Sequence, residues 1–486
     1  MNIRVSNLIR SSAYIDGQWL AASDGGTFDV CDPADGALIV KVADCTAQDA
    51  TNAVAAAERA FPGWQATPAK ERGRLLRRWF ELMMAHQEEL GEILAREQGK
   101  PFAEAKGEIA YGASFIEWFA EEARRVYGDV IPSPVGGREL LALKQPIGVT
   151  AAITPWNFPN AMITRKVGPA LAAGCTSIVK PASETPLSAL AIAALAQEAG
   201  IPAGVFNVLP TAHSAVIGAI LTSDPRVRKV SFTGSTEVGR LIMRQSAETI
   251  KKLSLELGGN APFIVFDDAD IDAAVSGAIA SKYRNTGQTC VCANRFYVQS
   301  GVYDAFAKKL AEAVGAFRVG AAFEDGVQQG PLITAKAVAK VEELVADATA
   351  KGARPLIGGA RHERGGNFYQ PTILVDVSKD ARLLSEEIFG PVAPLVRFET
   401  EAEAVALANT SEYGLASYFY ARDLGRVWRV ARAIEAGIVG VNEGIISTTE
   451  APFGGVKQSG LGREGSRYGI EEYLEIKYVC LGGLNS

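Results

Sequence analysis

Cys290 sits in Gly287-Gln288-Thr289-Cys290, a polar, glycine-softened approach unlike an apolar strand, and Glu256 stands upstream in Glu256-Leu257-Gly258-Gly259-Asn260. A thiol on such a loop, with a carboxylate beside two glycines that let it come close, makes a nucleophile and a base. Glu256 follows the apolar Leu253 and Leu255, which places it at the exit of an inner strand, where a carboxyl pKa rises and base chemistry becomes available. A lone cysteine is more commonly a packed small residue and a lone glutamate a solvated one, so the reading rests on the pair and its setting. Asn157, in Pro155-Trp156-Asn157-Phe158-Pro159, is stiffened by a proline on either side. Its amide, with the Cys290 backbone N–H, would hold the oxyanion formed when sulfur attacks a carbonyl. A cysteine hydrolase is the rival chemistry, but it needs an imidazole base, and His86, His213 and His362 all lie far from Cys290 in the sequence.

Gly234-Ser235-Thr236-Glu237-Val238-Gly239 follows an apolar run and opens a helix, the setting in which N-terminal amides hold a pyrophosphate. Lys180, in Ile178-Val179-Lys180-Pro181-Ala182-Ser183-Glu184, ends another such run, where the adenosine ribose of a dinucleotide would lie. The GxGxxG at Gly460-Leu461-Gly462-Arg463-Glu464-Gly465 is preceded by Lys457-Gln458-Ser459 where an apolar strand should be, and reads as a surface turn next to the site. Arg165 and Arg284 flank the Asn157 and Cys290 segments. Two guanidiniums converging on a nucleophile make a carboxylate clamp, to which Ser447 can add a hydrogen bond. Cys292 reads either as a small buried residue or as a redox partner that captures a sulfenic acid formed at Cys290.

These groups belong to a chain of 486 residues, too long for one hydrophobic core, so two or three domains are expected. Its 48% hydrophobic and 21% charged residues are those of a globular protein. A net charge of −6, with no basic run interleaved with aromatics, excludes nucleic acid as the main partner. No stretch of about 18 apolar residues occurs and residues 1–6 carry no apolar leader, so no membrane partner and a cytoplasmic location are expected. Cys31, Cys45, Cys175, Cys290, Cys292 and Cys480 form no disulfide-scaffold spacing, fit a reducing compartment and read mostly as small buried residues. With three histidines and no HExxH or CxxC arrangement, no metal site is expected.

Residues 13–45 alternate apolar and polar positions between turns at Asp16-Gly17 and Asp35-Gly36, a small antiparallel hairpin layer. Thr46 and Thr67-Pro68 read as helix starts, and helical periodicity continues to about residue 127. From Gly148, apolar runs at 149–153, 177–179, 205–208, 229–232 and 253–257 alternate with helix-like stretches such as 188–199 and 235–246. That alternation predicts an α/β fold with a parallel, doubly wound sheet that binds its ligand at the strands' carboxyl ends. A second alternation, from Pro262 to about Asn442, predicts a second α/β domain carrying Cys290.

The segments around Asn157, Gly234, Glu256 and Cys290 resemble the NAD(P)-dependent aldehyde dehydrogenase family, and the resemblance runs from end to end of the chain. It implies two doubly wound α/β domains plus a small β oligomerisation hairpin. Residues 1–130 and 145–257 would form the cofactor-binding domain and 258–445 the catalytic domain. Residues 131–144 and 446–486 would bridge subunits of a homo-oligomer, a dimer or tetramer. The family's chemistry would make Cys290 the nucleophile toward an aldehyde, Asn157 the oxyanion holder and Glu256 the base for the water that hydrolyses the thioester. A CoA-acylating relative would not need that base. Thr154, Pro155, Trp156, Gly234, Ser235, Gly239 and Leu257 match cofactor positions, and Glu387 and Phe389 match contacts to the nicotinamide ribose and ring. Ser183 stands where NAD-preferring relatives carry a glutamate; the lost carboxylate leaves Lys180 able to pair with a 2′-phosphate, so NADP is preferred and NAD accepted. Arg165, Arg284 and Ser447 match the branch that acts on carboxylate-tailed semialdehydes, with a four-carbon substrate expected ahead of a five-carbon one.

Overall fold

The computed structural model describes residues 8–484, so the expectation placed on residues 1–6 lies outside the described residues. The apolar runs that begin at Gly148 become the middle of an eight-stranded sheet. Phe206–Val208, Thr176–Lys180, Val149–Ile153, Val227–Thr233 and Lys252–Glu256 lie side by side in that order, all parallel. They read as near-continuous apolar runs because helices, among them Ala161–Ala173, Pro186–Glu198 and Thr236–Ser246, cover the sheet. The register sets Thr233 opposite Glu256, Phe232 opposite Ile153 and Ile153 opposite Lys180. The segments carrying Asn157, Lys180, Gly234 and Glu256 therefore all leave the sheet at one edge, where an open parallel sheet binds ligands.

A seven-stranded sheet follows, in the order Arg354–Ile357, Thr372–Val375, Val392–Phe398, Ala293–Gln299, Ala261–Val265, Ala416–Tyr420 and Ile438–Val441. It is parallel except at its Arg354–Ile357 edge. Leu257-Gly258-Gly259-Asn260 is the whole connection between the strand ending at Glu256 and the strand starting at Ala261. Ala261 pairs with Ala293, so this connection runs past the loop carrying Cys290. A Cβ at Gly259 would stand 2.4 Å from the Cys290 carbonyl oxygen, and that close approach is what the glycine permits.

A three-stranded antiparallel sheet of Asp129–Ile131, Arg138–Pro146 and Leu474–Gly482 stands apart from both. Among the described residues, no helix is long and apolar enough to cross a membrane.

Four expectations change. The hairpin layer divides: Ala13–Ile15 and Gln18–Leu20 join the edge of the large sheet, while Thr27–Cys31 and Leu38–Ala43 pair separately. Thr46 caps helix Ala47–Ala66 in a capping box with Asp49, but Thr67 ends that helix, its hydroxyl donating to Gly63 O at 2.9 Å, and Pro68 caps the next helix without a side-chain bond. Gly460–Leu461 is no surface turn: it pairs antiparallel with the Glu256 strand, with Ser459 and Glu464 buried on either side. The stretch 446–486 thus contributes a strand to the first sheet. Only Cys45, Cys175 and Cys292 are buried; Cys31 and Cys480 are exposed and Cys290 half-buried, all of them unpaired thiols.

Candidate active site

Where the two sheets meet, a cleft of about 740 Å³ opens between the Trp156, Gly234, Leu257, Cys290 and Phe389 segments. Of the residues singled out in the sequence, Pro155, Trp156, Asn157, Gly234, Ser235, Leu257, Cys290, Glu387 and Phe389 line it. Thr154, Lys180, Gly239 and Glu256 are buried outside that lining, and Ser183 lines a neighbouring cavity that shares Glu184 with the cleft.

The loop before Cys290 is strained. Asn285, Thr286 and Gly287 follow one another at φ 51°, 58° and 76°, a left-handed run that non-glycine residues adopt only when their surroundings hold them. The Glu104 carboxylate accepts from Asn285 N at 2.8 Å, Thr286 Oγ1 donates to Gly330 O at 3.1 Å, and Ile333 N donates to the Gln288 side chain at 2.9 Å. At Gly287 a Cβ would stand 2.2 Å from Gly390 O. Burial, joined by Glu387 and Glu256 and opposed by Arg165, raises the Cys290 thiol to about 12. The sequence setting suggested a ready thiolate; in the folded protein the resting group is the thiol, because its neighbours are mostly acids in a dry site.

Asn157 faces this loop. Its Nδ2 donates to Gln288 O at 2.9 Å and its carbonyl accepts from Asn285 Nδ2 at 2.9 Å and from Lys100 Nζ at 2.8 Å. The amide is thus oriented by one N–H, which leaves the other for a ligand. Lys100 is itself buried against Glu108 at 2.6 Å, and Glu108 accepts from Asn160 N at 3.0 Å. Neither Lys100 nor Glu108 was legible from the sequence, since each acts through another residue's backbone.

Glu256 is buried, and one of its oxygens, Oε2, has no hydrogen-bond partner among the described residues. Burial and then the facing Glu464 raise its pKa well above the carboxylate range, while Arg165, Lys166 and Arg463 pull it back. Glu464 is the site residue that the sequence reading missed; it pairs with Arg165 Nε at 2.8 Å and with Lys166 Nζ, and those two cations lower its own pKa against burial. The available signal was a lone acid inside the glycine run 460–465, which only tertiary pairing makes meaningful.

Arg165 is buried within electrostatic reach of Cys290. Its guanidinium stacks over Phe453 at 3.9 Å and Phe115 at 5.4 Å, and its Nη2 has no hydrogen-bond partner among the described residues. Arg284 is half-buried, with its guanidinium over Phe158 at 5.5 Å. Ser447 is half-buried on the loop before Thr449. Cys292 is turned away from the cleft, its Sγ donating to Lys282 O at 3.6 Å.

The cleft suits a dinucleotide. Ser235 caps helix Thr236–Ser246, its Oγ accepting from Val238 N at 3.4 Å, and the helix's free amides open beside Gly234, which donates to Glu256 O at 3.0 Å. A Cβ at Gly239 would meet Leu257 at 2.5 Å, so glycine there lets the helix sit close to the cleft wall. Burial holds Lys180 down to about 8, with Glu184 pulling the other way. Glu387 accepts from Gly259 N at 3.2 Å and is raised by burial to about 7. Phe389, at φ 53°, stands edge-on to Trp156 with ring centres 5.6 Å apart.

Residues 19–479 match the profile of the aldehyde dehydrogenase family. A relative from Escherichia coli (strain K12), succinate-semialdehyde dehydrogenase NADP(+) GabD, is 63% identical over 482 residues, covering 99% of this chain and 100% of the relative. A glutarate-semialdehyde dehydrogenase of Pseudomonas aeruginosa is 61% identical over 484 residues, covering 100% of both. A crystal structure described as an E. coli NADP dependent enzyme superposes with a TM-score of 0.98 at 62% identity, covering 99% of this chain and 100% of that one. Likeness of that extent, over a cleft built from the segments that first pointed to it, leads to one conclusion: the chain belongs to the aldehyde dehydrogenase family.

Proposed function

We propose that this aldehyde dehydrogenase oxidises succinate semialdehyde to succinate, with NADP preferred as acceptor and NAD accepted. The observation that carries the substrate is the pair of guanidiniums, Arg165 and Arg284, on the Asn157 helix and the Cys290 loop but outside the lining of the dinucleotide cleft. They suit a short aldehyde that carries a carboxylate.

In this reading the Cys290 thiol loses its proton through water to solvent and its sulfur bonds to the aldehyde carbon. The free Asn157 amide N–H and the Cys290 backbone N–H hold the resulting oxyanion. The nicotinamide dinucleotide, when bound, takes up the hydrogen and electron pair whose loss turns the thiohemiacetal into a thioester. Glu256, ionised, then deprotonates a water whose oxygen bonds to the acyl carbon as the C–S bond breaks, and that proton returns to the Cys290 sulfur. Gly234, Ser235 and Gly239 would hold the pyrophosphate, Lys180 and Ser183 the adenosine ribose and its phosphate, and Glu387 and Phe389 the nicotinamide half, with Thr154, Pro155, Trp156 and Leu257 walling the cleft. Residues 1–130 and 145–257 would form the cofactor-binding domain and 258–445 the catalytic one, with 131–144 and 446–486 bridging subunits of a homo-oligomer except for Gly460–Leu461, which joins the first sheet. Six unpaired cysteines fit the reducing cytoplasm.

Glutarate semialdehyde is the second reading, because the Pseudomonas aeruginosa relative is named for it and one methylene is worth only about 1–3 kcal/mol in a pocket. Initial rates with both semialdehydes and with butanal, using NADP or NAD and no coenzyme A, test the proposal. The highest kcat/KM should belong to succinate semialdehyde with NADP, and free acid should form in step with NADPH. Butanal turned over as efficiently as succinate semialdehyde would refute the substrate.

A further inference from the structure

Helix Phe102–Glu122 presents a polar group to the same space as the two arginines. The Tyr111 ring stands edge-on to Phe115, centres 5.1 Å apart, and Phe115 lies beneath the Arg165 guanidinium. One turn on, Ser114 Oγ donates to Tyr111 O at 2.7 Å and shares a 2.5 Å hydrogen bond with Thr449 Oγ1, which clasps the Ser447 loop to this helix. The Tyr111 hydroxyl is thereby fixed with Arg165, Arg284, Glu464 and Ser447 as its polar neighbours. Its oxygen is out of contact with solvent, and no well-formed hydrogen bond reaches it among the described residues.

A buried hydroxyl left unsatisfied is costly, and Arg165 Nη2 is unsatisfied too. Guanidiniums only donate, so they cannot accept the tyrosine's proton. A ligand with two negative oxygens satisfies the hydroxyl and both guanidiniums at once. Burial also keeps the hydroxyl protonated, since it raises the Tyr111 pKa above its ordinary value.

We propose that Tyr111 is a specificity-determining residue that donates its hydroxyl hydrogen bond to the carboxylate tail of the aldehyde, closing with Arg165, Arg284 and Ser447 a pocket for that anion. The inference rests on the carboxylate-tailed substrate proposed above. Because the donor is held by a packed ring, it also fixes how far the carboxylate lies from Cys290.

Tyr111→Phe keeps the ring on Phe115 and deletes only the hydroxyl. Its KM for succinate semialdehyde should rise about tenfold or more, with kcat and the KM for butanal within about twofold of the parent, and succinate should inhibit more weakly by a similar factor. Tyr111→His, which restores a ring donor, should recover part of the loss; Tyr111→Leu serves the comparison if the phenylalanine variant does not fold. A parent enzyme with no preference for succinate semialdehyde over butanal would sink the substrate reading itself. If the parent shows the preference, Arg284→Ala loses it and the Tyr111 variants keep it, the substrate reading stands and the role given to Tyr111 is wrong.

Discussion

In the proposed mechanism Cys290 is a nucleophile whose resting state is the thiol, so it must give up a proton before it attacks. The acids around it, Glu256 and Glu387, are themselves raised by burial, Glu387 to about 7 and Glu256 well above the carboxylate range. Lys180 offers a pH test of the cofactor assignment. With a pKa of about 8 in the free protein it is protonated below that value and can pair with a 2′-phosphate, and it is neutral above it. NADP affinity, measured by fluorescence titration, should therefore be full below about pH 8 and decline above it, while NAD affinity stays level. Parallel curves for the two nucleotides would remove Lys180 from the phosphate site. The Cys292 sulfur faces Lys282 O, so the loop must turn to bring it to Cys290. If it does act as a redox partner, peroxide inactivation will be reversed by dithiothreitol in the parent and not in Cys292→Ala; equal recovery of both returns Cys292 to the core.

At the scale of elements, the loop 284–290 is held in a shape its own sequence does not favour. Gly287→Ala places a Cβ at φ 76° and 2.2 Å from Gly390 O, so backbone strain alone should cost about 1–3 kcal/mol, with the clash in addition. Urea unfolding should show a marked loss of stability for that variant and almost none for Gly301→Ala, where a Cβ meets nothing within 4 Å. Equal midpoints for the two would mean that the loop is not strained. The elements around this loop were legible to different degrees. The parallel strands could be read because strands covered on both faces leave continuous apolar runs, and the segments that leave their carboxyl ends carried the site motifs. Thr67-Pro68 misled because a hydroxyl beside a proline can end one helix as readily as start the next. Glu464 was hidden because its meaning depends on Lys166 and Arg165, nearly three hundred residues away in sequence and adjacent only through the edge strand Gly460–Leu461.

For the whole molecule, the two sheets divide the labour at the four residues 257–260: one sheet ends in the base and the dinucleotide cleft, the other begins beside the nucleophile. The third sheet leaves Val130 at 73% and Ile476 at 72% exposed, apolar area that a second subunit would cover. Ile476→Lys should lower the mass seen in sedimentation, and an unchanged mass would place the subunit contact elsewhere. The central claim is that an acyl group derived from a carboxylate-tailed aldehyde passes through Cys290 and is released by Glu256. Its most direct test is the intact mass and peptide map of Glu256→Gln, quenched after one turnover with NADP and succinate semialdehyde. One succinyl group should accumulate on the peptide holding Cys290, accompanied by one equivalent of NADPH per site. An unmodified Cys290 after a full equivalent of NADPH, or an acyl group on any other residue, would contradict the account.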